Sequence, residues 1–240
     1  MANPVRTPPV VTVHLWGVAG RQIPGSLWRM ATGRRKVRRS HGLRFAKLLG
    51  TGSGRTFSVR DADPRHWGLV AAWDDIADAR VFELADIVTS WDRHSYEKAR
   101  FVLSPIHSRG NWAGRQPFSP GQKPTGNGPV AALTRARIRP SQWRRFASAV
   151  PPVAAATDRA SGLLVSTGIG EAPVGLQGTF SVWQNSDALN AFLAGSEHQR
   201  VVNETETIGW YSEELFARFS VTAASGSFCG QPVDIGHDAD

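Results

Sequence analysis

A tandem pair of ferredoxin-like βαββαβ units, packed sheet against sheet as a pseudo-dimeric α+β barrel, is the architecture this sequence predicts. Three observations lead there. The same order of segments runs twice through the chain, and each run alternates strand-like and helix-like patterning in the order β-α-β-β-α-β. Between the runs lies NWAGRQPFSPGQKPTGN (111–127), dense in Gly and Pro. The expected units are therefore residues 8–110 and 128–226, with 111–127 as the linker.

The first unit opens with a strand, VVTVHLWGV (10–18), and a helix over roughly 25–40. Gly42-Leu43 leads into KLLGTGSG (47–54), then HWGLVAAWDD (66–75). An Ala-rich helical segment ending near DRHSYEKA (92–99) and the strand ARFVLSPIHSRG (99–110) complete it. The second unit repeats the series with GPVAALTRARIR (128–139) and the helix SQWRRFASAV (141–150). There Ser141 after Pro140 reads as an N-cap, and Trp143, Phe146, Ala147 and Val150 keep helical spacing. Gly162-Leu163 then leads into VSTGIGE (165–171), LQGTFSVWQN (176–185), a second helix and ARFSVTAASG (217–226). TGSG and TGIGE fall between consecutive strands, not between a strand and a helix, so they read as turns and not as phosphate-binding loops.

Composition narrows the function classes. The single cysteine, Cys229, excludes an internal disulfide framework and a multi-cysteine metal site, and makes a reducing cytoplasm the expected location. The sequence shows no apolar signal region and no run of about 18 apolar residues. Nine tryptophans exceed ordinary usage and suit a core or the walls of a pocket for a large apolar ligand. The net charge of +8 is uneven: residues 1–60 hold twelve Arg/Lys and no Asp or Glu. The basic run GRRKVRRSHGLRFAK (33–47) reads as a solvated helix face, as contact with the periphery of an anionic membrane, or as a docking surface for an acidic redox protein. No nucleic-acid motif accompanies it, so no nucleic-acid partner is expected.

The second copy departs from the first most clearly at GSEHQRVV (195–202). In a helix over 197–207, His198, Val201, Val202 and Thr205 share one line, so His198 points inward. A core histidine and a ligand both fit that pattern. Strand parity places Leu133, Arg135 and Arg137 on one face and Ala132, Thr134, Ala136 and Ile138 on the other; Gln177, Thr179, Ser181 and Trp183 alternate with Leu176, Gly178, Phe180 and Val182. The apolar face is expected to meet the helices, and the mixed polar and aromatic face to line a pocket inside the barrel. HExxH, GxSxG, Walker and histidine–carboxylate metal patterns are absent from the sequence. A lone histidine cannot hold a bare catalytic metal, but it can be the one protein ligand of a haem iron.

SRGNWAGRQPF (108–118), GPVAALTRARIR (128–139), GIGEAPVGLQGTFSVWQNSDAL (168–189) and HQRVVNETETIGWYSEELFARF (198–219) resemble the spheroidene monooxygenases, carotenoid-oxidising enzymes of purple bacteria, in order and spacing over roughly residues 8–230. The resemblance implies a haem b monooxygenase acting on a small hydrophobic substrate, a carotenoid or another secondary metabolite, with dioxygen and an external electron donor. It implies His198 as the metal ligand, with Val201, Val202, Trp143 and Phe180 around the cofactor. Arg135 and Arg137 are candidates for neutralising a propionate or polarising a distal ligand, and Trp183 for the reactive wall; an ion-paired or solvent-facing arginine is an equal reading. A haem dehydratase acting on an N–O substrate, a non-catalytic binder of haem or another lipophilic ligand, and a haem-free barrel stay open. A homo-oligomer also stays open.

Overall fold

The computed structural model describes residues 9–55, 61–119, 126–171 and 178–235. The first copy comprises β1 (Val10–Val18), α1 (Ile23–Val37), β2 (Leu43–Gly52), β3 (Ala62–Trp73), α2 (Ile76–Glu83), α3 (Asp86–His94) and β4 (Ser95–Gly110). The second comprises β5 (Val130–Ile138), α4 (Trp143–Asp158), β6 (Leu163–Gly170), β7 (Gly178–Trp183), α5 (Ser186–Ala194), α6 (Ser196–Ile208) and β8 (Tyr211–Phe228), followed by the short β9 (Gln231–Pro232). The expected single second helix of each unit is a pair of short helices. The first member of each pair is capped alike: Asp75 accepts from the Asp78 N–H and Asn185 from the Ala188 N–H.

Strands pair in the order β4-β1-β3-β2-β6-β7-β5-β8, and β8 pairs again with β4, so the two four-stranded sheets close on one another. This is the expected α+β barrel. One seam is long, from Ala99–Gly226 to Gly110–Leu215 along β4 and β8; the other is short, from Gly50–Gly170 to Gly52–Gly168 along β2 and β6. Gly50, Gly52, Gly168 and Gly170 of the two glycine-rich motifs therefore join the copies as strand residues. A Cβ on Gly168 would lie 2.9 Å from the Gly54 nitrogen, which explains the need for glycine there. Both copies also place glycine at positive φ before β2 and β6, at Gly42 and Gly162, where a Cβ would strike Asp78 and Ala188.

The barrel interior is an apolar core drawn from both copies, including Val13, Leu49, Phe101, Leu133, Phe180 and Phe219. Phe101 and Phe180 meet across it edge to face, 5.3 Å between centroids. Each such buried side chain contributes about 1.5–3 kcal/mol. The helices cover the outer faces.

Three expectations change. Ser141 caps nothing: it lies in a 3₁₀ turn over Pro140–Gln142, and α4 starts at Trp143 without a side-chain cap. Residues 111–118 are more than a linker, because Trp112 and Phe118 are buried in the barrel core. The faces of β7 are also reversed, while those of β5 are as expected. Leu133 and Arg135 point into the barrel and Ala132 and Ile138 toward the helices, but Phe180 and Val182 also point into the barrel, and Ser181 and Trp183 lie on the helix-facing side. Alternation shows that two faces differ, but both faces of a helix-covered barrel strand are buried, so polarity alone does not say which is inside. Leu176 and Gln177 of that pattern lie outside the described residues.

Candidate functional site

Strand register superimposes the copies residue by residue. Val10 pairs with Trp73 and Val130 with Trp183; Leu43 and Leu163 pair with the same two tryptophans. Ala85 and Gly195 precede α3 and α6 with nearly the same backbone angles, φ −67° and ψ 147° against φ −62° and ψ 145°. Differences between the copies can thus be located at the level of side chains.

They concentrate on the layer between sheet and helices. In the first copy this layer is one continuous cluster in which Trp16, Leu48, Leu69, Val88 and Trp91 are buried. Their counterparts in the second copy are Ala136, Gly168, Thr179, His198 and Val201, and His14 is matched by Thr134. Each tryptophan carries about 150–250 Å² of surface, which alanine or valine cannot replace. Accordingly, the second layer divides into two clusters, one around Phe146 and Trp210 and the other around Trp183 and Leu189. The floor between them is of small residues.

His198 stands between the two clusters. Its neighbour one turn on, Val201, belongs with Phe146 and Trp210, and Phe192 beside it belongs with Trp183. Phe192 packs 5.4 Å from the His198 ring and 5.1 Å from Trp183. His198 Nδ1 donates to the Leu193 carbonyl at 3.2 Å, leaving the lone pair on Nε2. Among the described residues nothing pairs with Nε2. Burial pushes the imidazole pKa below its ordinary value; the Leu193 bond opposes that shift and the Arg218 charge adds to it, so the ring is neutral at pH 7. Among the described side chains of α6 none is fully buried, whereas its counterpart α3 buries Ile87, Val88 and Trp91. Helix α6 therefore carries an apolar, histidine-bearing face that the sheet does not cover closely. Among the described residues, no group of three His, Cys, Asp or Glu could share a metal ion.

The other sequence candidates fall in different places. Trp143 packs with Phe146 and Val201 in the first cluster of this layer, and Trp183 lies in the second. Val202 is half-buried on α6 and belongs to neither cluster. Phe180 and Arg135 are on the opposite, barrel side of the sheet, and Arg137 is exposed at the end of β5. The structure does not bring Arg135, Arg137 or Phe180 to the His198 layer.

Arg135 instead organises a barrel-end cluster that sequence reasoning missed. It is 3% exposed and pairs with both Glu171 and Glu213. Lys47 and the Trp112 indole N–H also bond Glu171, and the Ala113 and Gly114 N–H groups donate to Glu213. Burial alone would raise both carboxyls; for Glu171 the Lys47 and Trp112 bonds, and for Glu213 the two backbone bonds and Arg135, hold them below the ordinary range. The cluster ties the segment after β4 to the barrel mouth. Its signal was the repeat itself, since the first-copy counterpart of Arg135 is Leu15.

With these features in place, similarity to known proteins is informative. Over 228 residues the chain is 35% identical to the spheroidene monooxygenase of Rhodobacter capsulatus, spanning 93% of this chain and 94% of that one. It is 36% identical over 219 residues to the spheroidene monooxygenase of Rubrivivax gelatinosus, spanning 91% and 80%. No family model matches. Among solved structures, an aldoxime dehydratase aligns with a TM-score of 0.57 at 11% identity, covering 92% of this chain and 83% of that one. At that identity the likeness is one of fold alone.

Proposed function

The chain belongs to the spheroidene monooxygenase family and is an oxidoreductase of the monooxygenase type, and from that premise we propose that it oxidises an apolar polyene of the carotenoid class with haem held between the sheet and helices of its second copy. The carrying observation is the coincidence of two substitutions on facing elements: small residues on the sheet, and His198 on α6 where the first copy has Val88. Small, apolar residues on the floor and a histidine with a free Nε2 on the facing helix are the chemistry that a planar apolar macrocycle and its iron call for.

When bound, haem supplies the iron at which dioxygen is activated for insertion into a carbon chain. The protein's contribution is to position and to exclude. The bond from Nδ1 to Leu193 fixes the tautomer and aims the Nε2 lone pair, as partners of ligating histidines do. Phe192 packs beside the imidazole, backed by Trp183, and limits its rotation. Thr134 and Thr179 satisfy one another across the strands at 2.7 Å, so the floor presents little unpaired polarity to an apolar ligand. Val201 and Trp143 close the side toward α4. Electrons come from a separate donor, because residues 1–240 carry no nucleotide-binding motif.

The test is spectroscopic. Purified protein reconstituted with haem is expected to show a Soret band that His198→Ala shifts or abolishes, while circular dichroism stays unchanged. An identical band in the variant would refute ligation by His198. Turnover of a carotenoid that required neither reductant nor dioxygen would refute the monooxygenase chemistry.

A further inference from the structure

Helix α1 carries a surface that the reaction does not use. Its inward line is Ser26, Met30, Gly33 and Val37, spaced to pack on β2 and α3; a Cβ on Gly33 would touch Leu48 and Ile87 at 2.9 Å. The opposite line is neither polar throughout nor covered. In its first turns Trp28 is 70% exposed and Leu27 50% exposed, with Pro24 and Ala31 exposed beside them. In its last turn and the residues just after it, Arg35, Lys36, Arg38 and Arg39 are exposed. Among the described residues none of these four cations has a carboxylate partner.

The fold does not require this arrangement. Helix α4 is the counterpart of α1, both entered through a 3₁₀ turn ending on glutamine. Where α1 and its cap have Leu27, Trp28, Arg35, Lys36 and Arg38, α4 has Ala147, Ser148, Ala155, Ala156 and Asp158; Arg39 alone keeps a basic counterpart, Arg159. The apolar wedge and the cations occur together in one copy only. Exposing a tryptophan leaves a large apolar surface in water, an arrangement usually associated with interfaces.

We propose that the outer face of α1 docks the protein on an anionic lipid surface, with Trp28 and Leu27 entering the headgroup boundary and Arg35, Lys36, Arg38 and Arg39 facing the phosphates. Tryptophan is the side chain best suited to that boundary, because its ring is apolar and its indole N–H can reach water. The cations are held by one helix about 22 Å long, lying parallel to the surface. A nucleic acid would use the arginines but has no place for Trp28 and Leu27; an acidic protein would engage both, and vesicle flotation separates that case. Among the described residues no helix is long and apolar enough to cross a membrane, so the contact is peripheral. The inference does not depend on haem or on the identity of the substrate.

Flotation of the full-length protein with vesicles tests it. Binding is expected to mixed phosphatidylcholine and phosphatidylglycerol vesicles, weakened by salt, and not to phosphatidylcholine alone. Trp28→Ala should reduce the partition coefficient about tenfold. The triple variant Arg35→Gln, Arg38→Gln, Arg39→Gln should reduce it roughly a hundredfold, about fivefold per charge. Ser148→Ala, on the other copy, should leave it unchanged. All these side chains are exposed, so the fold is not at stake. Wild-type protein that stays with neither vesicle, or variants that bind like wild type, would overturn the proposal. So would a result in which the arginine variants lose only the ability to accept electrons from an acidic donor protein, which would make the face a redox-partner dock.

Discussion

Replacing Arg135 by leucine, the residue the first copy uses at the same place, separates a structural role from a catalytic one. Arg135 is the buried cation between Glu171 and Glu213. Removing one partner of a buried ion pair typically costs about 3–5 kcal/mol, because the remaining charge loses its compensation. Here the loss belongs at the low end. Glu171 keeps Lys47 and Trp112, and Glu213 keeps the Ala113 and Gly114 N–H groups. We therefore expect Arg135→Leu to lower stability by about 3 kcal/mol, or roughly 6–12 °C in Tm for a chain of this size, read by thermal and urea unfolding. The two carboxyls have depressed folded pKa values, so their stabilisation is present above the unfolded carboxyl range near 4.3 and disappears as pH falls through the folded values. The gap between wild type and variant should accordingly narrow below about pH 4. The haem spectrum of folded variant should be unchanged, because Arg135 and His198 occupy opposite sides of the sheet. Unaltered stability together with a lost or shifted Soret band would refute this reasoning and return Arg135 to the active site.

Two further outcomes follow from other parts of the molecule. His66 is held between Asp63 at 2.6 Å and Glu97 at 2.8 Å, with Tyr96 beside it and the Cys229–Gly230 turn donating to the same glutamate. Burial would lower its pKa, but the two carboxylates raise it overall, so its stabilisation is complete below about pH 6.5 and is lost as pH rises through the folded value. Wild type should lose stability across that alkaline step, as read by urea midpoints, and His66→Gln should not; a parallel loss in both would contradict the assignment. Val201→Trp restores the first-copy residue Trp91 to the second layer and should fill the space beside His198. Haem affinity measured by titration should fall at least tenfold with Tm held or raised, and undiminished affinity would count against placing the cofactor there.

The repeat made most of the fold readable. Gly42-Leu43 and Gly162-Leu163, with the segments HWGLVAAWDD and LQGTFSVWQN that follow them, identify in the sequence which strands correspond, and the helical line through His198 puts it on the inner side of α6. What escaped was decided by tertiary closure. The orientation of β7 depends on the second sheet standing behind it, a fact with no trace in local alternation, whereas the mixed face of β5 does line the barrel as its alternation suggests. Trp112 and Phe118 looked like linker residues because Gly and Pro surround them, yet their rings reach the barrel mouth through a turn that closes 112 onto 115. The Arg135 cluster joins residues 36 and 78 positions apart, beyond the reach of periodicity. Comparing the copies position by position would have exposed it, since an arginine facing leucine across a pseudo-dyad demands a partner.

The unequal seams of the barrel give it a direction in which to yield. Along β4 and β8 the copies are bound like the spine of a book, by a ladder running from Ala99–Gly226 to Gly110–Leu215. Along β2 and β6 the described residues form a short clasp of glycines and their neighbours, joined by the Lys47–Glu171 pair. Parting the clasp breaks fewer backbone bonds than parting the spine. Hydrogen exchange is therefore expected to be faster along β2 and β6 than along the middle of β4 and β8.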